Sequence, residues 1–109
     1  MKSKKLNTKI KILVLGGSRG IGKSITQEVK KNFKKVHPFS SKDIDTSNLV
    51  SVKNFIKKNK SADVIILNSG GPPNLPFKKI DEKIWYTYFN QLFLGFALIL
   101  KDLKINNNG

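Results

Sequence analysis

The sequence predicts an α/β fold, a parallel sheet with helices on both faces. Three observations predict it. Short apolar runs occur at 10–15, almost continuously apolar and β-branched, and at 62–67, with a short strand-like segment at 36–39 between them. Segments with apolar residues three or four apart separate them. The first run ends in a loop with four glycines among seven residues, 16–22. Strands covered on both faces read as continuous apolar runs, and parallel strands need a long crossover, usually a helix.

Residues 1–9 are polar and lysine-rich and are expected to be a flexible end. Ile10 to Leu15, IKILVL, is the first buried strand. After the glycine turn, Ile21, Ile25, Val29 and Phe33 fall four apart, one stripe of an amphipathic helix. Val36 to Phe39 is a second strand. Its Pro38 lacks a ladder donor, which predicts a sheet edge. Residues 40–48 form a Ser/Asp/Thr/Asn-rich loop that caps the next helix, whose stripe is Leu49, Val52, Phe55 and Ile56. Ala62 to Leu67 is a third buried strand, ended abruptly by Asn68-Ser69-Gly70-Gly71-Pro72-Pro73. Asp81 opens a last helix reaching about Leu103. The order β-α-β-α-β-α, without repeats, gives right-handed crossovers in a single domain, residues 1–109.

Composition removes many functions. The chain has 109 residues and no cysteine, so disulfides, thiolate-bound zinc and cysteine nucleophiles are excluded. One histidine, His37, is too few for a multi-histidine metal site; no metal site is expected. No stretch has the roughly 20 apolar residues of a membrane span, and no secretory signal opens the chain. A cytoplasmic protein is expected. The net charge is +14. Twenty of the 21 basic residues are lysine, spread in pairs such as Lys30-Lys31 and Lys57-Lys58, with Arg19 alone as arginine. Base reading and phosphate forking favour arginine. A solvated lysine surface is therefore expected, without a nucleic-acid partner.

The last helix carries Trp85, Tyr86, Phe89, Leu92, Phe93, Phe96, Ile99 and Leu100 around nearly its whole circumference. Such a helix should be covered on more than one side. A homo-oligomer contact through 81–103 is expected.

The glycine loop, Gly16 to Ser24, joins a strand to a helix N-terminus, where backbone N–H groups and the helix dipole favour a phosphate. Two nucleotide motifs overlap here. Gly17 to Ser24 satisfies G-x-x-x-x-G-K-S, in which Lys23 would reach phosphates and Ser24 magnesium. Gly16, Gly20 and Gly22 satisfy the dinucleotide variant G-x-x-x-G-x-G. The first motif needs a carboxylate at the end of a neighbouring strand, and the third strand ends in Asn68.

The second motif comes with companions. The sequence resembles the short-chain dehydrogenase/reductase family at three places, in the family's order. Its cofactor loop T-G-x-x-x-G-[IL]-G resembles Leu15-Gly16 to Gly20-Ile21-Gly22, with leucine for threonine. Its D-[VL]-[TS] adenine contact resembles Asp45-Thr46-Ser47, and its N-N-A-G resembles Asn68-Ser69-Gly70-Gly71. The resemblance spans about residues 10–109 and implies a Rossmann-type domain. It implies a cofactor site built from Gly16, Ser18, Arg19, Gly20, Ile21, Gly22, Ser40, Asp45, Thr46, Asn68, Ser69 and Gly70.

It implies an NAD(P)-dependent oxidoreductase that reduces a carbonyl or oxidises an alcohol. Ser40-Ser41-Lys42 after the second strand, with Arg19, favours the 2′-phosphate of NADP, while Asp43 keeps NAD possible. The chain also departs from the family. Only a few residues separate the second strand from Asp45, where the family has another helix and strand. The family's helix asparagine, counted seven from Trp85, falls on Leu92; Asn90 lies about 200° around the helix from it. No Y-x-x-x-K occurs, since Tyr86 is followed four on by Asn90 and Tyr88 by Leu92. The expectation is an incomplete, cofactor-binding part of a reductase without catalytic residues. The alternatives are a P-loop nucleotide-binding protein and a non-catalytic basic interaction module.

Overall fold

The computed structural model describes residues 5–71 and 73–106. Residues 1–4 of the expected flexible end, Pro72 of the glycine-proline break and the last three positions lie outside them.

Strand β1, Asn7–Leu15, is the centre of the sheet. It pairs in parallel with β2, Phe33–Phe39, on one side and with β4, Val64–Ile66, on the other. Its alternation serves two cores. Leu13 and Leu15 face one side, with Val52, Phe55, Ile99 and Leu103. Ile12 and Val14 face the other, with Val36. Helices α2, Leu49–Lys58, and α4, Gly95–Asp102, supply the first core, and α1, Gly20–Val29, covers the second face through the half-buried Val29. The fold is the α/β parallel sheet with helices on both faces that the apolar runs predict. Strand β2 ends the ladder order β2-β1-β4, as Pro38 requires.

Four elements differ from expectation. Strand β1 begins at Asn7, not Ile10, because Asn7 pairs with Phe33 and its Oδ1 accepts from Lys9 N and Ile10 N. Asparagine thus replaces ladder bonds with local ones, a signal hydropathy does not carry.

The stripe of α1 also differs. Phe33 belongs to β2, and Ile21 is 73% exposed. The buried positions are small, Gly22 and Thr26. Thr26 Oγ1 donates to Gly22 O at 2.8 Å and to Gly17 O at 3.3 Å. Close packing of a polar, small face holds α1 to the glycine turn, so large apolar residues do not mark it.

The third apolar run is two strands. Strand β3, Ser61–Ala62, and β4 are separated by Asp63. Asp63 N donates to Lys11 O at 2.9 Å, and Lys11 N donates to Asp63 Oδ2 at 2.8 Å. The carboxylate takes the place of a ladder carbonyl, so the buried Asp63 is satisfied by main chain. Strand β3 pairs in parallel with β5, Lys104–Ile105.

The last helix is continuous but not uniform. Asp81 Oδ1 caps α3, Glu82–Phe89, by accepting from Ile84 N. A π-helical turn, Asn90–Leu94, follows, and then α4. Buried Gly95 and Ile99 face the core, while Tyr86, Phe89, Phe93 and Leu100 are exposed. The helix therefore has one covered side where more than one was expected; Trp85 and Leu92 are exposed too. Among the described residues no helix is long and apolar enough to cross a membrane.

Candidate nucleotide site

All sheet strands run the same way, so the loops after β1, β2 and β4 meet at one edge. That is where ligands sit in open α/β sheets. A cleft of about 590 Å³ opens there. Its walls come from three stretches far apart in sequence: Leu15 to Ile21, Ser40 to Thr46, and Asn68 to Gly70.

The first wall is set by two left-handed glycines, Gly16 at φ 66° and Gly20 at φ 55°. A Cβ on Gly16 would lie 2.6 Å from Asn68 O, and one on Gly22 would strike Gly16 O. Gly16, Gly22 and Asn68 therefore close on one another, and Asn68 Nδ2 donates to Gly16 O at 3.4 Å. Nothing lies within 4 Å of a Cβ on Gly20, which faces open space in the cleft. The Arg19 side chain at the N-cap of α1 makes no capping bond, so the first-turn amides are left to other acceptors.

The second wall is a compact turn. Asp43 N and Ile44 N donate to Ser40 O at 3.0 and 3.2 Å. Asp43 Oδ2 accepts from Ser40 N at 2.7 Å and from Ser40 Oγ at 3.2 Å. The carboxylate is thus turned back on its own loop, and Asp43 does not line the cleft, whereas Ser40 and Ser41 do. Farther on, Asp45 Oδ1 accepts from Ser47 N and Ser47 Oγ, and Asp45 N donates to Ser51 Oγ at 2.9 Å. Thr46 is buried, and its carbonyl lies against Gly95, where any Cβ would strike it. Glycine in α4 lets the helix approach the second wall.

Eleven of the twelve residues named from sequence line this cleft. Gly22 does not; it is buried behind the first wall, shaping Gly16. Lys23 and Ser24 also lie outside the lining and are exposed on α1. In the described helix they fall in its first turn and a half, beyond the loop that a P-loop lysine would close over. Asn90 and Leu92 lie outside the lining as well. The π-helical turn makes Gly95 N donate to Asn90 O, so a count based on 3.6 residues per turn loses phase there.

Gln91 was not identified from sequence. It lines the cleft, and its Nε2 donates to Ser69 Oγ and to Gly70 O, both at 2.7 Å. The pair of polar residues Asn90-Gln91 inside an otherwise apolar stretch of helix was the available signal. Ser41 and Ile44 complete the second wall. Among the described residues no cluster of three or more His, Asp or Glu could hold a metal ion.

No protein-family model matches the sequence, and no curated protein matches it at a significant level. Solved structures do match the fold. A small-chain dehydrogenase superposes with a TM-score of 0.74 at 21% identity, over 96% of this chain and 54% of that one. The Pseudomonas aeruginosa RhlG/NADP active-site complex matches with a TM-score of 0.71 at 15% identity, over 94% and 50%. L-Sorbose reductase from Gluconobacter frateurii, complexed with NADPH and L-sorbose, gives 0.68 at 16%, over 94% and 48%. The chain therefore spans about half the length of the structures it matches. Over that half, the fold is that of a short-chain dehydrogenase/reductase.

Proposed function

We propose that the cleft binds NADP(H) and that the chain is the cofactor-binding part of an oxidoreductase acting on a carbonyl or an alcohol. One observation carries the reading. The residues named at three family-like motifs, 16–21, 45–46 and 68–70, line one cleft together with Ser40, at the strand ends where open α/β sheets take ligands. Two of the solved structures with this fold hold NADP or NADPH by their descriptions.

The residues suit such a ligand. Gly16 and Gly20 let a diphosphate approach the main chain, and the open amides of α1 donate to its oxygens. Ser18, Arg19 and Ile21 flank this position. Ser40, Ser41 and Arg19 offer hydroxyls and a cation to a ribose 2′-phosphate. Asp43, the residue that would favour NAD, is spent on Ser40. Asp45 and Thr46 border the adenine end, and Asn68 to Gly70 run beside the ribose. Bound, the nicotinamide carries the hydride. The acid/base that moves the accompanying proton is not supplied by a Y-x-x-x-K pair of these 109 residues.

The exposed Trp85, Tyr86, Phe89, Phe93 and Leu100 form the face through which we place a second copy. Calorimetric titration with NADPH, NADH and magnesium-ATP tests the cofactor reading. NADPH should bind tightest. Magnesium-dependent ATP binding that is lost in Lys23→Ala would replace this reading with a P-loop one.

A further inference from the structure

We infer that Gln91 is a positioning residue that latches the third wall of the cleft, Asn68 to Gly70, to the long helix; the inference rests on the dinucleotide reading of the cleft. The wall needs a latch. After β4 the chain runs through Asn68-Ser69-Gly70-Gly71 without regular structure. Asn68 is held against Gly16, but a Cβ on Gly70 or Gly71 would meet nothing within 4 Å, so packing does not hold the two glycines. Glycines also lose the most conformational freedom on being ordered.

The Gln91 amide spans 22 residues of sequence to supply what packing does not. Gly70 O can only accept, so the amide nitrogen must face it. The same nitrogen donates to Ser69 Oγ, and that hydroxyl donates on to Gly70 O at 3.4 Å. Two donated bonds thus hold two consecutive residues. Among the described residues they are the only side-chain hydrogen bonds from the helix to this wall.

Gln91 sits in the π-helical turn, one position after Asn90. Such turns insert a residue into a helix and re-aim the side chains beside it, frequently at functional sites. Here the re-aimed side chain is polar, half-buried and lines the cleft. Its neighbours Leu92 and Phe93 point to solvent.

The test separates the latch from the cofactor reading. Gln91→Met keeps length and helix preference but cannot donate; Gln91→Glu keeps shape and cannot donate to Gly70 O. Backbone order parameters of Ser69 to Gly71 should fall from about 0.85 toward 0.6 or below in both variants, with β1 unchanged. NADPH dissociation constants should rise about tenfold once the two hydrogen bonds that order the wall are gone. Adding Gly70→Ala to Gln91→Met should recover part of the affinity, since alanine stiffens a site with room for its Cβ. Unchanged order parameters in Gln91→Met would overturn the latch, whatever the nucleotide does. Loosened order parameters in a protein that never bound NADPH would uphold the latch and remove the cofactor reading.

Discussion

The carbonyl oxygen of Gly16 occupies the position that a Cβ on Gly22 would need. Two glycines six residues apart therefore face each other across the turn between β1 and α1, and neither can grow. Gly20, between them, has open space and only a left-handed φ to satisfy. Their substitutions should differ in kind. Gly22→Ala should lower stability by about 1–3 kcal/mol, the usual cost of overpacking, and should displace Gly16 enough to abolish NADPH binding. Gly20→Ala should cost about 1–2 kcal/mol from backbone strain alone and should weaken binding without removing it. Thermal melts followed by circular dichroism, with parallel titrations, read both.

Arg19 and Lys23 separate the two nucleotide motifs. Arg19→Ala should weaken NADPH about tenfold, roughly 1.4 kcal/mol, and leave NADH nearly unchanged. Lys23→Ala should alter neither by more than about twofold. A Lys23→Ala variant that loses all nucleotide binding would contradict the dinucleotide site.

Asp43 is a structural carboxylate in this turn, closing on Ser40 N and Ser40 Oγ. Asp43→Ala should cost about 0.5–1.5 kcal/mol of stability and leave the preference for NADPH over NADH intact. An NADH-selective loss of affinity, measured by competitive titration, would show instead that Asp43 reaches the ribose.

The exposed aromatic face of the long helix should make the chain self-associate. Phe93 is 62% exposed and stacks beside Phe89 with ring centroids 5.3 Å apart. Leaving each such ring in water forgoes about 1.5–3 kcal/mol. Phe89→Lys with Phe93→Lys should convert the oligomer to a monomer of unchanged fold. Analytical ultracentrifugation would decide it: a wild-type chain that stays monomeric at high concentration removes the interface.

The sheet and most of the cleft were legible because they follow from regular signals. IKILVL could only be a buried strand, and Val52 and Phe55 could only face a core. The glycine loop, the two later motifs and the end of the second strand named eleven lining residues because each needs particular residue types at a strand end. What escaped was set by single hydrogen bonds or by backbone irregularity. Asp63 splits a strand by taking a ladder amide through its side chain. Gly22 and Thr26 hold α1 by smallness and a hydroxyl, so counting large apolar residues placed Ile21 on the wrong side. The π-helical turn shifts the helix phase and brings Gln91 to the cleft, and no hydropathy period registers a one-residue insertion.

The position of β2 at the end of the ladder limits how copies of this chain assemble. A terminal strand offers unpaired amides and carbonyls, which invites open-ended growth, sheet upon sheet. Here that strand carries exposed Lys34, Lys35 and Pro38. Two such edges would bring four ammonium groups together around prolines that cannot donate. Pairing through the β2 edge is thereby penalised, and association is steered toward the helix face, where an isologous pairing closes on itself. Copies of this chain should therefore not join β2 to β2.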